Sequence, residues 1–496
     1  MLHTFRNLFR LLVIALVLLR YDVLCVRKKG LRRGQRLARA FERLGPTFIK
    51  LGQAISTRSD LVGDTVADDL ASLRDKLPPF PTHLARAMIE AELGRSIREL
   101  FLDFADIPVA AASIAQVHKA VTMEGKNVAV KVLRPNIEKA FARDIALFFW
   151  IADILAPRLP ARLKPHAIVQ TFKDTAFFEL DLRFEAAACD EMAENIKHHA
   201  AGLRVPAVIW NLTSRRIMVS EWVDGIPFSD MAAIRASGLN LDDMLAKVSA
   251  SLFSQVFIDG FFHADLHPGN LFLDPNSGEL IAVDFGIMGR LDFESRAYIA
   301  RIIHGFLNAD YRAVSELHFA AGYVPAHKSV EAFTQACKAV AQPIMGKPLN
   351  EISVATLLGQ MFKIAAEFEM EVQPQLLLMQ KTLMVGEGVG RMLNPNLNMW
   401  ELARPMIEGW AQEHFSKTAQ LKMAAKELKT HALKFPAMLK KIERALDTVG
   451  DDAGFKLHPE TLAVLAADRR KMHRKWLLLG WVALAFFVAS FLVIRH

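Results

Sequence analysis

Residues 263–286 read HADLHPGNLFLDPNSGELIAVDFG. Asn270 stands five positions after Asp265. Asp284 follows a turn rich in Pro, Asn, Ser and Gly and an apolar run, Leu280-Ile281-Ala282-Val283. These types at this spacing suit phosphoryl transfer. Asp265 would lie beside the accepting group, and Asn270 and Asp284 would give oxygen ligands to Mg²⁺, the hard cation that bridges phosphates. Two short strands joined by a tight turn would bring all three to one end of a hairpin. An Asp-Phe-Gly arises by chance and a His-x-Asp is often a structural turn, so the inference rests on both halves together.

Such chemistry needs a wall for a base and a cation for phosphates, and both are readable upstream. From 107 the period changes. Ile107-Pro108-Val109 leads into Ala110-Ala111-Ala112-Ser113, then Ile114 to Ala120, a turn at Glu124-Gly125-Lys126, and Asn127 to Leu133. This predicts a strand, a loop, a strand, a hairpin turn and a third strand. In the last, Val128, Val130 and Val132 point one way, Ala129 and Lys131 the other. A lysine among small apolar residues must place its ammonium somewhere specific. In kinase V-A-I-K strands the lysine reaches the α/β-phosphates, and Ala129 would lie under the adenine. Arg216 to Gly225 reads as a strand and a hinge. The pattern is helical over 34–104, 136–200, 228–236 and 241–259. It is helical again over 296–448, with breaks near Gly322, Pro343, Pro374 and Asn394-Pro395-Asn396. Glu179-Leu180-Asp181 and Glu185 open one helix. Gly45-Pro46-Thr47 starts another, on which Lys50 and Gln53 share a face. A helix resumes by about 293, which leaves little room for a long activation segment, and no Ala-Pro-Glu follows.

The 496 residues suffice for two to four domains or one bilobal enzyme with extensions. A net charge of +8 favours anionic surfaces. No basic stretch is interleaved with aromatics as a nucleic-acid groove requires. The basic clusters Arg27-Lys28-Lys29 and Arg469-Arg470-Lys471 instead abut apolar runs, which points to a membrane. Cys25, Cys189 and Cys337 form neither a disulfide framework nor a metal spacing, as expected of a reducing compartment. Residues 1–26 read as an interfacial amphipathic helix, with tilted insertion as the alternative, because the apolar run 11–19 is too short to span a bilayer. Trp476 to Ile494 is nineteen residues without charge, long enough to span. The basic residues of 469–475 place the preceding domain on the cytoplasmic side of its membrane.

With these stretches the chain resembles the UbiB family of atypical kinase-like proteins, from about Gly45 to Asn396. The K-x-G-Q motif is Lys50, Gly52 and Gln53, and the alanine-rich loop that replaces a glycine-rich loop is Ala110 to Ser113. The strand lysine is Lys131, and the E-x-D motif is Glu179 with Asp181. The resemblance implies an α+β, bilobal protein-kinase-like fold. Its expected parts are a membrane-interacting segment 1–26, a helical extension 27–104, an N-lobe 105–225 and a large, mostly helical C-lobe 226–450. A basic linker 451–475 and a transmembrane helix 476–494 complete it. One convincing span, where some relatives have two, is a departure that touches the side on which the C-terminus lies.

The resemblance also implies Mg²⁺ and ATP as cofactors and Glu185 as the partner of Lys131. The nucleotide-facing set would run from Pro108 and Val109 through the alanine loop to Ile114, Ala115 and Gln116. Ala129, the hinge residues Glu221 and Val223, and Lys50, Gln53, Glu179 and Asp181 would complete it. Implied partners are membrane lipid, quinone precursors and other proteins of ubiquinone biosynthesis, with no nucleic acid and a homodimer left open. Two function classes follow: an ATPase or kinase that supports ubiquinone biosynthesis, or a nucleotide-gated membrane scaffold or lipid-handling chaperone. Methyl groups on Ala110 to Ala112 narrow the approach of backbone to phosphate, which disfavours transfer to protein side chains.

Overall fold

The computed structural model describes residues 2–23, 30–56, 62–71, 73, 77–158, 165–197, 202–342, 367–370 and 374–396, with isolated positions near 364 and 402–410. All lie within one unit, Met1–Glu413. The expected basic linker 451–475 and membrane span 476–494 lie outside the described residues. Among the described residues no helix is long and apolar enough to cross a membrane.

Alternating side chains build the smaller lobe. Strands β1 (Phe101–Phe104), β3 (Ala115–Thr122), β4 (Asn127–Leu133) and β6 (Ile217–Glu221) pair in that order, and β2 (Ala110–Ala111) adds to β3. Gly125 makes the β3–β4 turn with φ 80°, a left-handed conformation open to glycine. Val128, Val130 and Val132 are buried with Ile217 and Val219 beneath helix α5 (Thr82–Leu93), which contributes Ala85 and Ile89. Each buried valine is worth about 1.5–3 kcal/mol, so a one-residue slip of β4 would forfeit three at once.

The helical reading of 34–104 needs one correction. Helix α6 (Ile97–Leu100) ends the run, and Phe101–Phe104 belongs to the sheet. Phe101 and Phe104 are both buried at a spacing of three, which reads as helical. A β-bulge between Phe101 and Asp103 lets both face the same core from a strand.

Before this sheet lie α1 (Leu2–Arg20), α2 (Arg33–Leu44), α3 (Pro46–Ser56) and α4 (Asp64–Ala71). Phe41, Phe48 and Leu70 form their shared core, against which Ile14 and Val17 of α1 pack. The other side of α1 leaves Leu8, Phe9, Leu12, Leu16 and Leu19 exposed. Arg10 fixes the helix: its guanidinium donates to both oxygens of buried Asp144 at 2.9 Å and to Leu44 O. Asp144 lies on α7 (Ile137–Leu155), followed by α8 (Pro165–Glu179) and α9 (Leu182–Lys197).

The larger lobe begins with the small strands β5 (Leu203–Arg204) and β7 (Ile226–Pro227) and the helices α10 (Met231–Ala236) and α11 (Leu241–Phe253). Strands β8 (Phe261–His263), β9 (Leu271–Leu273), β10 (Leu280–Ala282) and β11 (Met288–Arg290) carry the catalytic stretch. They pair as β5-β10-β9-β7 and β11-β8. Helices α12 (Phe293–Leu307), α13 (Tyr311–Ala320) and α14 (Val330–Ala341) share a core around Val314 and Phe333. Helix α15 (Pro374–Leu393) packs on α11 and β11.

Candidate active site

The β9–β10 hairpin places the catalytic stretch. Val283 N donates to Asn270 O at 2.9 Å, so Asn270 and Asp284 flank the open end of the hairpin. Ala264 N donates to Ile287 O at 3.0 Å, which ties the segment before Asp265 to the one after Asp284. The buried His263 ring spans both. Its Nδ1 accepts from Asp265 N at 3.1 Å, and its Nε2 lies 3.4 Å from Val283 O. Burial holds the pKa of this imidazole below its ordinary value, so the neutral ring is the form that bridges. Asn270 Nδ2 donates to Asp265 O at 3.2 Å, which leaves the amide oxygen as the end suited to a metal.

Lys131 meets this hairpin from β4. Its Nζ lies 2.6 Å from Glu185 Oε1, on the first turn of α9, and 3.0 Å from Asp284 Oδ1. Burial disfavours the ammonium, but the two carboxylates, Asp284 foremost, reverse this and hold its pKa well above the lysine range. One ammonium between two carboxylates leaves an excess negative charge. The side chain of Glu185 is 10 % exposed and that of Asp284 51 %. The buried one yields: burial first, with the charge of Asp284 adding and Lys131 opposing, pushes Glu185 up to about 7. Lys131 holds Asp284 well below the carboxylate range, with help from Lys50 and His263. Asp284 also takes φ 64°, a left-handed turn that sets its carboxylate between β10 and the lysine.

Lys50 on α3 pairs with Glu179 Oε2 at 2.7 Å, at the end of α8, and its charge reaches Asp284. Gly52 is required by packing, since a Cβ there would come within 2.8 Å of Phe41 and closer still to Leu73. Gln53 is half-buried on the same helix. Asp181, grouped with Glu179 in the E-x-D motif, is not held in the same way. Instead both its oxygens accept from Arg183, at 2.9 and 2.7 Å. Glu179 ends α8, whereas Asp181 stands in the turn before α9, within reach of Arg183.

Antiparallel partners stand on one side of a sheet, so register sorts the remaining residues. Val117 faces with Lys131, Lys119 with Ala129 and Ala110 with Val117, so Ala110 and Ala129 share the side of Lys131. Gln116 stands opposite Val132 and Ala111, on the far side. There it is fully buried, accepting from Phe80 N at 3.0 Å and bonded to His118 at 2.8 Å, so it does not line the cleft. Val109 is exposed and Pro108 half-buried beside it, whereas Ser113 and Ala115 are buried and Ile114 packs on the core. The alanine loop closes tightly, Ala112 N donating to Ala115 O at 2.8 Å. Arg134 latches it: the guanidinium donates to Ala112 O at 2.8 and 3.1 Å, and to Pro78 O and Leu77 O. At the expected hinge, the carboxylate of Glu221 bonds Arg204 and its backbone N–H goes to Ala207 O, while Val223 is half-buried.

One residue of the cleft escaped the sequence. Lys381 on α15 lies 2.7 Å from Asp265 Oδ1. The only signal was a lysine interrupting the apolar run from Leu376 to Val385.

The donor set suits Mg²⁺ and a nucleotide. Among the described residues no three His, Cys, Asp or Glu side chains converge as a self-sufficient metal site. Asn270 and Asp284 would therefore hold the ion together with phosphate oxygens, the manner in which Mg²⁺ is usually bound.

A five-stranded lobe bearing a lysine paired to a helix glutamate, over a lobe carrying Asp265, Asn270 and Asp284, defines a protein-kinase-like protein. The family model of the ABC1 atypical kinase-like domain matches residues 72–318, and that of the UbiB helical domain residues 337–398. A protein of Marinobacter nauticus called "Probable protein kinase UbiB" is 39% identical over 90% of this chain and 82% of its own length. One of the same name from Aeromonas hydrophila is 43% identical over 79% of this chain and 73% of its own. The chain belongs to the UbiB family. The solved complex of Rv3197 with erythromycin from Mycobacterium tuberculosis shares the fold, with a TM-score of 0.53 at 23% identity, over 73% of this chain and 92% of that one.

Proposed function

We propose that the chain binds Mg²⁺-ATP and acts as a membrane-associated atypical kinase or ATPase that supports ubiquinone biosynthesis, without phosphorylating proteins in trans. The observation that carries this is the Lys131–Glu185–Asp284 triad, a costly arrangement of buried charge with a direct use. Asn270 and Asp284 would hold Mg²⁺, which would supply neutralisation of phosphate charge. Within the chain, Lys131 would bind the α/β-phosphates, Glu185 would fix that lysine, and Asp265 would orient an accepting hydroxyl or water. Family membership supports the ubiquinone role, and the exposed apolar side of α1 supports contact with lipid. The pairing of Lys50 with Glu179 and its pull on Asp284 support a roof over the cleft where a peptide would lie.

The test is equilibrium binding of ATP with and without Mg²⁺. Asp284→Asn should weaken the metal-dependent affinity by about tenfold or more. Equal affinity in the variant and the parent would remove the metal assignment. The latched alanine loop favours a second reading, a nucleotide-gated scaffold or lipid-handling chaperone with little turnover. ATP turnover measured with and without quinone-precursor-like lipids, beside the same variant, separates the two.

A further inference from the structure

Lys381 reaches Asp265 from 116 residues away in the chain, with Nζ 2.7 Å from Oδ1. Its neighbour Thr382 is buried. The Thr382 hydroxyl, 2.9 Å from Leu378 O within the helix, also lies 3.3 Å from His263 O. Helix α15 therefore meets the catalytic stretch at two adjacent points, on either side of Ala264. From His263 to Asn270 the chain has no lysine or arginine of its own, so α15 supplies the positive charge there. The pair is open to solvent, Lys381 43% and Asp265 31% exposed. Such a pair adds little to stability, and its ammonium remains accessible from the cleft.

The other lysines of the site are committed elsewhere. Lys131 is held by Glu185 and Asp284, and Lys50 by Glu179. The His263 ring ties the Asp265 segment to the Asp284 segment, bonding the Asp265 amide at one nitrogen and lying near Val283 O at the other. Lys381 thus stands where an accepting group and the end of a triphosphate would meet. Charge on phosphate oxygens is what positioned lysines and arginines stabilise in phosphoryl-transfer sites. Resting on the Mg²⁺-ATP reading, we infer that Lys381 is the cation that α15 supplies to the terminal phosphate of the nucleotide. Asp265 parks it in place, and a third phosphate draws it inward. The residue then distinguishes a nucleoside triphosphate from a diphosphate.

The test measures binding of a non-hydrolysable ATP analogue and of ADP, each with Mg²⁺, to the full chain and to Lys381→Met, Lys381→Arg and Thr382→Val. Lys381→Met should lose about tenfold in affinity for the ATP analogue while ADP binding stays within about twofold, as for one lost charged contact. Lys381→Arg should recover most of that loss. Thr382→Val disturbs the seating of the helix and should change both nucleotides alike. A Lys381→Met protein with the parent's ATP-to-ADP ratio would overturn the inference, as would an equal loss of both, which would make the pair structural. A parent that binds neither nucleotide would instead sink the Mg²⁺-ATP reading, and this inference with it.

Discussion

Glu185 and Asp284 flank one ammonium, and their unequal burial gives the site a pH signature. The folded value of Glu185, about 7, lies above the 4.5 of an unperturbed glutamate, so the native state holds a proton that the unfolded chain releases. That contribution is complete below about pH 4.5 and is lost as the pH rises through 7. Between these values unfolding free energy should fall more steeply with pH, by up to about 1.4 kcal/mol per unit. Urea unfolding from pH 5 to 8 should show Glu185→Gln flattening this slope, and a parent already flat there would refute it. Residues differed in how legible they were. Lys131 could be read because a charge in an apolar strand has few places to go. Glu185 could be paired with it only through the family resemblance. Lys381 left only a faint signal, since a single lysine on a long helix looks like a solvated one. Gln116 was assigned to the wrong side because the count of β3 positions from the loop requires its pairing with β4.

Among the elements, α3 carries both the K-x-G-Q lysine and the glycine that lets the helix close on its neighbours. Gly52→Ala adds a methyl group against Phe41 and Leu73. The clash should outweigh the helix preference for alanine and cost about 1–3 kcal/mol, read by chemical denaturation. Unchanged stability would mean that α3 sits more loosely than its contacts imply. Periodicity showed the alternation of β4, the turn at Gly125, the α3 start at Gly45-Pro46 and the helices on either side of the catalytic stretch. It failed at β1, where a bulge gives a strand the spacing of a helix. It also gave no sign that Arg10, at the head of the apolar run, would turn inward to Asp144 and fix which side of α1 faces out.

For the whole molecule, two kinds of membrane contact are expected to add. Deletion of 476–496 should release most of the protein from membranes at high salt, whereas neutralising the basic residues of 469–475 should only weaken attachment. Full retention in the sedimented fraction after the deletion would make α1 the anchor. The proposed roof predicts the substrate range. The parent should label no member of a broad peptide library with radioactive ATP, and Lys50→Ala, which frees Glu179, should gain some phosphotransfer. Robust labelling by the parent would remove the roof from the account.

Arg134 holds the carbonyls of Ala112, Leu77 and Pro78 with one guanidinium. The first lies in the alanine loop. The others lie in the linker between the roof helices and the sheet. Were the loop to rise on the proposed phosphates, it would pull through Arg134 on the segment at Leu77 and Pro78, and a shift of that segment would slacken the loop. If nucleotide enters as proposed, one side chain would link its admission to the uncovering of the cleft, as a gear train rather than two independent gates.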